Sequence, residues 1–311
     1  MNELDVARHS RMIDPQLHIW GWEIPIYLFL GGMAAGVMIL AALLWMRREE
    51  RSGAARWLAF AAPVLVSVGM GALFLDLAHK VHVWRFYLAF RWTSPMSWGA
   101  WILVLVYPVS LAGALAGLDA AQAERAVAFC GRFGLAGAAR TVREVGLAHA
   151  ARLRWLMVIT GAALGVYTGI LLSTLGARAL WSSALLGPLF LLSGFSTGAA
   201  LLLLFPIAPE ERHLVAGWDR VAIALEVVVL ILFLVGLSTS GADGRAAAGL
   251  LLGGAFTGPF WALVVAAGLV VPSLLGALEI RMKLRATAAA PLLVLAGGLA
   301  LRWILVVAGQ V

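Results

Sequence analysis

Apolar runs of about twenty residues, set apart by short polar connections, recur along the whole chain. A bilayer core takes roughly 20 helical residues to cross, so runs of this length predict membrane-spanning helices. Eight spans are expected: Ile24–Met46, Trp57–Leu77, Trp98–Leu118, Leu156–Leu175, Ala184–Phe205, Val221–Leu237, Leu250–Leu278 and Thr287–Ala308. The seventh is overlong and holds Gly253, Gly254, Pro259 and Pro272, which predicts a kink or a strong tilt. The first carries Gly31, Gly32 and Gly36, small residues that let helices approach closely. Short alternating segments, the mark of a membrane β-barrel, do not occur. The expected fold class is an all-α integral membrane protein of eight transmembrane helices, forming one domain over residues 1–311.

Composition agrees with this pattern. The protein is 62% apolar and 13% charged, with a mean hydropathy of +0.95, against about 45–50% apolar and about a quarter charged in soluble domains. The net charge of +7 would suit nucleic acid in a soluble protein, but here it reads as the basic bias of cytoplasmic loops. Fifteen of the 23 Lys and Arg fall in the connections after the first, third, fifth and seventh spans. Seven fall in the amino-terminal segment and the other connections, and Arg302 lies inside the eighth span. Both termini are therefore expected on the outer face, with 1–23 an outer segment and 119–152 the longest cytoplasmic connection. That connection carries Arg125, Arg132, Arg140 and Arg143; it is either an amphipathic helix on the inner leaflet or a plain linking segment. Met1 to Gln16 is polar, so no cleavable leader is expected.

Chemistry is narrowed mostly by what is missing. The single cysteine, Cys130, cannot make an internal disulfide or hold an iron–sulfur cluster. The six histidines are His9, His18, His79, His82, His149 and His213, all at span ends or in connections, whereas a transmembrane haem needs histidines deep inside facing helices. Neither haem nor cluster nor metal site is expected, so any electron donor and acceptor must be bound molecules or partner subunits. Ionisable groups inside spans cost roughly 2.5–3.5 kcal/mol at mid-helix and need a reason. Asp76, Glu226 and Arg302 are such groups. Glu226 and Arg302 either form an internal ion pair or belong to a proton path. The connection after the second span mixes aromatic, titratable and hydroxyl groups: Asp76, His79, Trp84, Tyr87, Ser94, Ser97 and Trp98. Tyr167, inside the fourth span, needs a hydrogen-bond partner, either a neighbouring helix or a bound carbonyl.

Several of these stretches are similar to the NrfD/PsrC family, the membrane subunits of polysulfide reductase-like respiratory complexes. Trp20-Gly-Trp22-Glu-Ile-Pro-Ile-Tyr27-Leu-Phe-Leu-Gly31-Gly32 resembles the family's opening helix. Asp76-Leu, Ser94-Pro-Met-Ser97-Trp98-Gly99 and Tyr167-Thr-Gly169 with Leu-Leu-Ser resemble later family stretches. The resemblance implies a non-autonomous subunit in the bacterial inner membrane that binds quinone, menaquinone or ubiquinone, near the outer face. It also implies two partners, a ferredoxin-like four-cluster iron–sulfur subunit and a molybdopterin catalytic subunit. Carried over residue by residue, Tyr167 and His18 would contact the quinone, with Trp22, Ser94, Ser97 and Trp98 around it. The family asparagine near that histidine is replaced here by Pro15 and Gln16. Asp76 and His79 would exchange protons with the quinone. A secondary transporter fits the broken seventh span and the in-span charges, but no internal repeat of two halves is visible. An intramembrane hydrolase lacks a nucleophile elbow and a metal-spaced histidine pair.

Overall fold

The computed structural model describes residues 20–47, 51–77, 79–88, 90–174, 178–282 and 287–311. His18, with Pro15 and Gln16, lies outside the described residues. The helices are α1 (Glu23–Met46), α2 (Gly53–Asp76), α3 (Pro95–Gly117), α4 (Ala120–Gly131), α5 (Ala136–Ala148) and α6 (Ala150–Ser173). They continue as α7 (Leu186–Leu203), α8 (Pro209–Thr239), α9 (Ala242–Leu252), α10 (Thr257–Glu279) and α11 (Ala289–Ala308). Eight of them are long and apolar enough to cross a membrane: α1, α2, α3, α6, α7, α8, α10 and α11. No strand occurs among the described residues.

Helix starts follow local chemistry. Pro95 and Pro209 stand in the first turns of α3 and α8, where a missing N–H leaves no intrahelical bond unmade. Ser52 caps α2 by accepting from Ala55 N. Asp119 and Gln122 form a reciprocal capping box at α4. Gly134, at φ +74°, makes the turn between α4 and α5, where a side chain would be strained.

Two bundles meet along α1 and α7. Helices α2, α3 and α6 surround one side of α1, and α8, α10 and α11 gather on the side of α7. The α1–α7 seam is backbone on backbone. Gly32 and Gly36 of α1 face Gly194 and Gly198 of α7, and a Cβ added at Gly198 would come within 2.7 Å of the Gly36 carbonyl carbon. At one end of the bundle the two ends of the described sequence meet. Trp20 N donates to Gln310 Oε1 at 2.9 Å, and Gln310 Nε2 donates back to Trp20 O at 3.1 Å. Trp181 stacks on Trp20 at 5.2 Å and donates to Leu305 O at 2.7 Å. Both ends therefore share one face, as an even number of spans requires.

The opposite end is rich in arginine. Arg51 donates to Gly117 O at 2.6 Å and lies over the Trp45 ring. Burial, with Arg56 adding, lowers its guanidinium to about 10. Arg56 pairs with Asp119 at 2.6 Å. The carboxyl of Asp119 is held below the usual range first by its hydrogen bond from Gln122 N. The Glu211 carboxylate, in the first turn of α8, accepts from Ser52 N at 2.9 Å and from the Ser52 hydroxyl, tying α8 to α2.

Two boundaries differ most from expectation, the starts of the sixth and seventh spans. The sixth span begins twelve residues earlier, at Pro209 rather than Val221. Arg212 and Asp219 sit within it because hydrogen bonds inside the fold satisfy them. The expected start of the seventh span at Leu250 instead ends α9, and Gly253 and Gly254 separate α9 from α10. The strain expected in α10 takes the form of a π-helical stretch, Phe260–Val270, lying between Pro259 and Pro272. Pro272 has no N–H to continue the α register, which a wider turn accommodates. The connection 119–152 is two short helices, α4 and α5, turned back on each other.

A candidate site at the tyrosine end

A cavity of about 460 Å³ opens between α1, α2, α3 and α6, at the end that carries both termini. Its walls are almost wholly apolar: Met70, Leu73, Phe74 and Leu77 of α2, Met96, Ala100 and Leu103 of α3, and Leu171 of α6. Tyr27, Tyr87 and Tyr167 supply the polar atoms. The lining residues Phe74 and Met96 are also exposed, so the cavity is open rather than sealed.

Each tyrosine is fixed by its helix. Tyr167 stands six residues before the end of α6 and is 6% exposed. Its phenol lies where a side chain at position 99 would be, so Gly99 of α3 is what admits it. Tyr27, one turn into α1, is 3% exposed. It lines the same cavity as Tyr167 and Tyr87. Tyr87 lies in the one-turn helix Arg85–Leu88, where burial, with Tyr107 adding, raises its hydroxyl above the ordinary tyrosine range. Such a cavity can take a flat, apolar ring with hydrogen-bond acceptors at its edge.

The other residues expected at this site fall around the cavity rather than in it. Asp76 ends α2 beside the lining residue Leu77, half-buried and close enough to Glu23 for the two carboxylates to repel. His79 is exposed and meets His82 edge-on at 6.4 Å. Trp22 is exposed at the start of α1. Ser94 precedes α3, and the Ser97 hydroxyl accepts from Arg91 N at 3.0 Å. Trp98 points to an external aromatic cluster with Phe90, Trp92 and Trp101, and its Nε1 donates to Trp92 O at 2.9 Å. None of these six residues lines the cavity.

Glu226 and Arg302 lie elsewhere, on the α7–α8–α11 side, and both are buried, at 4% and 0% exposure. Among the described residues no direct ion pair joins them; Ser193 stands between. Arg302 donates to Ser193 Oγ at 3.0 Å and to the carbonyls of Leu28, Phe190 and Gly298. Sequence reasoning missed Asp219, which lies in α8 two turns before Glu226 and accepts from Ser196 Oγ at 2.6 Å. The seven-residue spacing, which puts both on one helix face, was the available signal. It also missed Tyr27 and Gly99 as site residues, although both stand in the stretches that carry the family resemblance. Among the described residues no cluster of three or more His, Cys, Asp or Glu is placed to hold a metal.

Comparison with known proteins agrees along most of the sequence. The C chain of the polysulfide reductase of Wolinella succinogenes is 29% identical over 307 residues, covering 94% of each protein. Protein NrfD of Escherichia coli is 32% identical over 315 residues, covering 94% of this protein and 95% of the relative. The NrfD homolog of Haemophilus influenzae is 27% identical over 82% of each. The model of the family described as polysulphide reductase, NrfD, matches residues 10–311, and the protein belongs to that family.

Proposed function

We propose that this protein is the quinone-binding membrane subunit of a respiratory oxidoreductase, passing electrons between the membrane quinone pool and an iron–sulfur partner. The carrying observation is the open cavity of about 460 Å³, apolar except for Tyr27, Tyr87 and Tyr167. One relative is named as a single chain of a polysulfide reductase, which supports reading this protein as one subunit of a larger assembly. A quinone, menaquinone or ubiquinone, supplies two-electron, two-proton chemistry when bound. The residues present suit it. Leu73, Phe74, Leu103 and Leu171 exclude water from the ring, while the Tyr167 and Tyr27 hydroxyls donate to its oxygens. Asp76 and His79 exchange protons with the surrounding water, with Trp22, Ser94, Ser97 and Trp98 around the cavity, and the family resemblance adds His18 as a quinone contact. The exposed rings of Trp84, Trp92 and Trp98 offer the partner an aromatic surface at the same end. That partner is an iron–sulfur subunit, which passes electrons on to a molybdopterin catalytic subunit.

The test is quinol-linked turnover of the assembled complex, with assembly checked by co-purification of the partners. Tyr167→Phe removes one hydroxyl and is expected to weaken the quinone step by about 1–3 kcal/mol, or roughly 5- to 150-fold. His18→Ala should weaken it as well. Wild-type turnover and inhibitor sensitivity in both variants would place the site elsewhere.

A further inference from the structure

The hairpin of α4 and α5, which joins α3 to α6, carries an apolar edge that a plain linking segment has no use for. Phe129, Phe133, Leu135, Val142 and Val145 are all exposed, and the Phe129 and Phe133 rings meet edge-on at 5.6 Å. Leu135, just before α5, and then Ala138, Val142 and Val145 recur at spacings of three and four, so they share one flank of that helix. Arg140 and Glu144, four residues apart, share the other flank. Between the flanks lies the buried face, where Ala139 packs with Leu115 and Leu118 at the end of α3.

Contacts with α3 fix the depth of the hairpin. A Cβ added at Gly146 would lie 2.9 Å from the Ala116 Cβ and 3.4 Å from the Ala112 carbonyl oxygen. Ala112 comes five residues before Gly117, the last residue of α3, which is about 8 Å of helix. The second half of α5 therefore runs beside the final turns of a helix long and apolar enough to span, not beyond them. It leads directly into α6, a second such helix, and Trp155 and Leu156 near the start of α6 are exposed. An exposed tryptophan at the start of a span suits the boundary between lipid and water.

Charge decides what meets this edge. From Ala120 to Arg154 six arginines stand against two glutamates, Glu124 and Glu144. Asp119 is already paired with Arg56. Arg125 and Arg132 are exposed and seven residues apart, on the side of α4 where Phe129 stands between them. The Nε atoms of Arg143 and Arg154 are shielded from solvent and have no hydrogen-bond partner. Guanidinium groups next to an apolar edge match a lipid phosphate next to its acyl chains. We infer that the α4–α5 hairpin is a docking surface for anionic phospholipid of the bilayer that the spans cross. Phe129, Phe133, Val142 and Val145 enter the acyl boundary, and Arg125 and Arg132 hold the phosphates. The inference does not depend on what the tyrosine cavity binds.

The full-length protein in lipid nanodiscs tests it. Bimane is attached to single cysteines, Phe133→Cys, Val145→Cys or Glu144→Cys, in a Cys130→Ser background. The discs mix phosphatidylcholine with phosphatidylglycerol, and one lipid or the other carries brominated acyl chains. Bromine should quench the probes at 133 and 145, and iodide in the buffer should quench the probe at 144. At equal mole fraction, brominated phosphatidylglycerol should quench the probe at 133 about twofold more than brominated phosphatidylcholine, because basic residues gather anionic lipid. Arg125→Gln combined with Arg132→Gln should remove that difference. Probes at 133 and 145 that iodide quenches and bromine does not would stand in water, open to a soluble protein, and would overturn the docking. Probes there that neither reagent reaches would be covered by protein, such as a second copy, and would overturn it equally. Equal quenching by the two brominated lipids, or a difference that survives the loss of both arginines, overturns the anionic recognition.

Discussion

A glycine decides where the phenol of Tyr167 stands. Gly99 opens the surface of α3 just where that ring packs, and a methyl group there would overlap it. Gly99→Ala must therefore push the ring aside or part α3 from α6, with an overpacking cost of about 1–3 kcal/mol. If the tyrosine cavity is the quinone site, Gly99→Ala should raise the apparent KM for quinol, and adding it to Tyr167→Phe should cost little more, because both act through one contact. Full additivity in steady-state turnover of the assembled complex would show that Gly99 matters for some other reason. At this scale the sequence displayed the residues but not their relations. Ser94 to Gly99 and Tyr167 were visible as separate stretches. That the glycine serves the tyrosine depends on how α3 and α6 pack, and no spacing along the sequence encodes that. Trp98, beside Gly99, shows the same gap: an aromatic residue at the right end of the right helix faces outward to Phe90 and Trp92.

At the scale of elements, the spans were legible because a bilayer imposes length and hydropathy on each helix by itself. The exception is α8. Its first twelve residues contain Arg212, Asp219 and Arg220, and a hydropathy reading stops at such residues. They are tolerated because Arg212 bonds two carbonyls and Asp219 bonds Ser196, partners that exist only after packing. Packing is also where glycines separate into those that matter and those that do not. Gly198 of α7 lies against the backbone of Gly36 and Val37, whereas Gly236 of α8 has nothing within 4 Å of a built Cβ. Gly198→Ala should lower the thermal midpoint of the detergent-solubilised protein, through a loss of about 1–3 kcal/mol. Gly236→Ala should leave it unchanged or raise it, since alanine is favoured over glycine in a helix by up to about 1 kcal/mol. Equal midpoints for the two variants would remove the α1–α7 seam from its place at the centre of the bundle.

For the whole molecule, one geometric fact and one count of charges combine. The hydrogen bonds between Trp20 and Gln310 put both ends of the described sequence on one face, and the tyrosine cavity opens near that face. Arg51, Arg56, Arg154 and Arg212 cluster at the other end, against the start of α8 and the end of α1. Lys and Arg stay with the cytoplasmic loops in inner-membrane proteins. The proposed orientation therefore sets the termini and the tyrosine cavity outward and the arginine-rich end inward. Single cysteines placed near Gly244, at the exposed Arg245 of α9, at the carboxyl terminus and near Arg140 in α5, in a Cys130→Ser background, report this directly. An impermeant thiol reagent added to intact cells should label the first two and spare the third. The reverse pattern would turn the molecule over, so that the quinone site proposed at the tyrosine cavity met an inner partner.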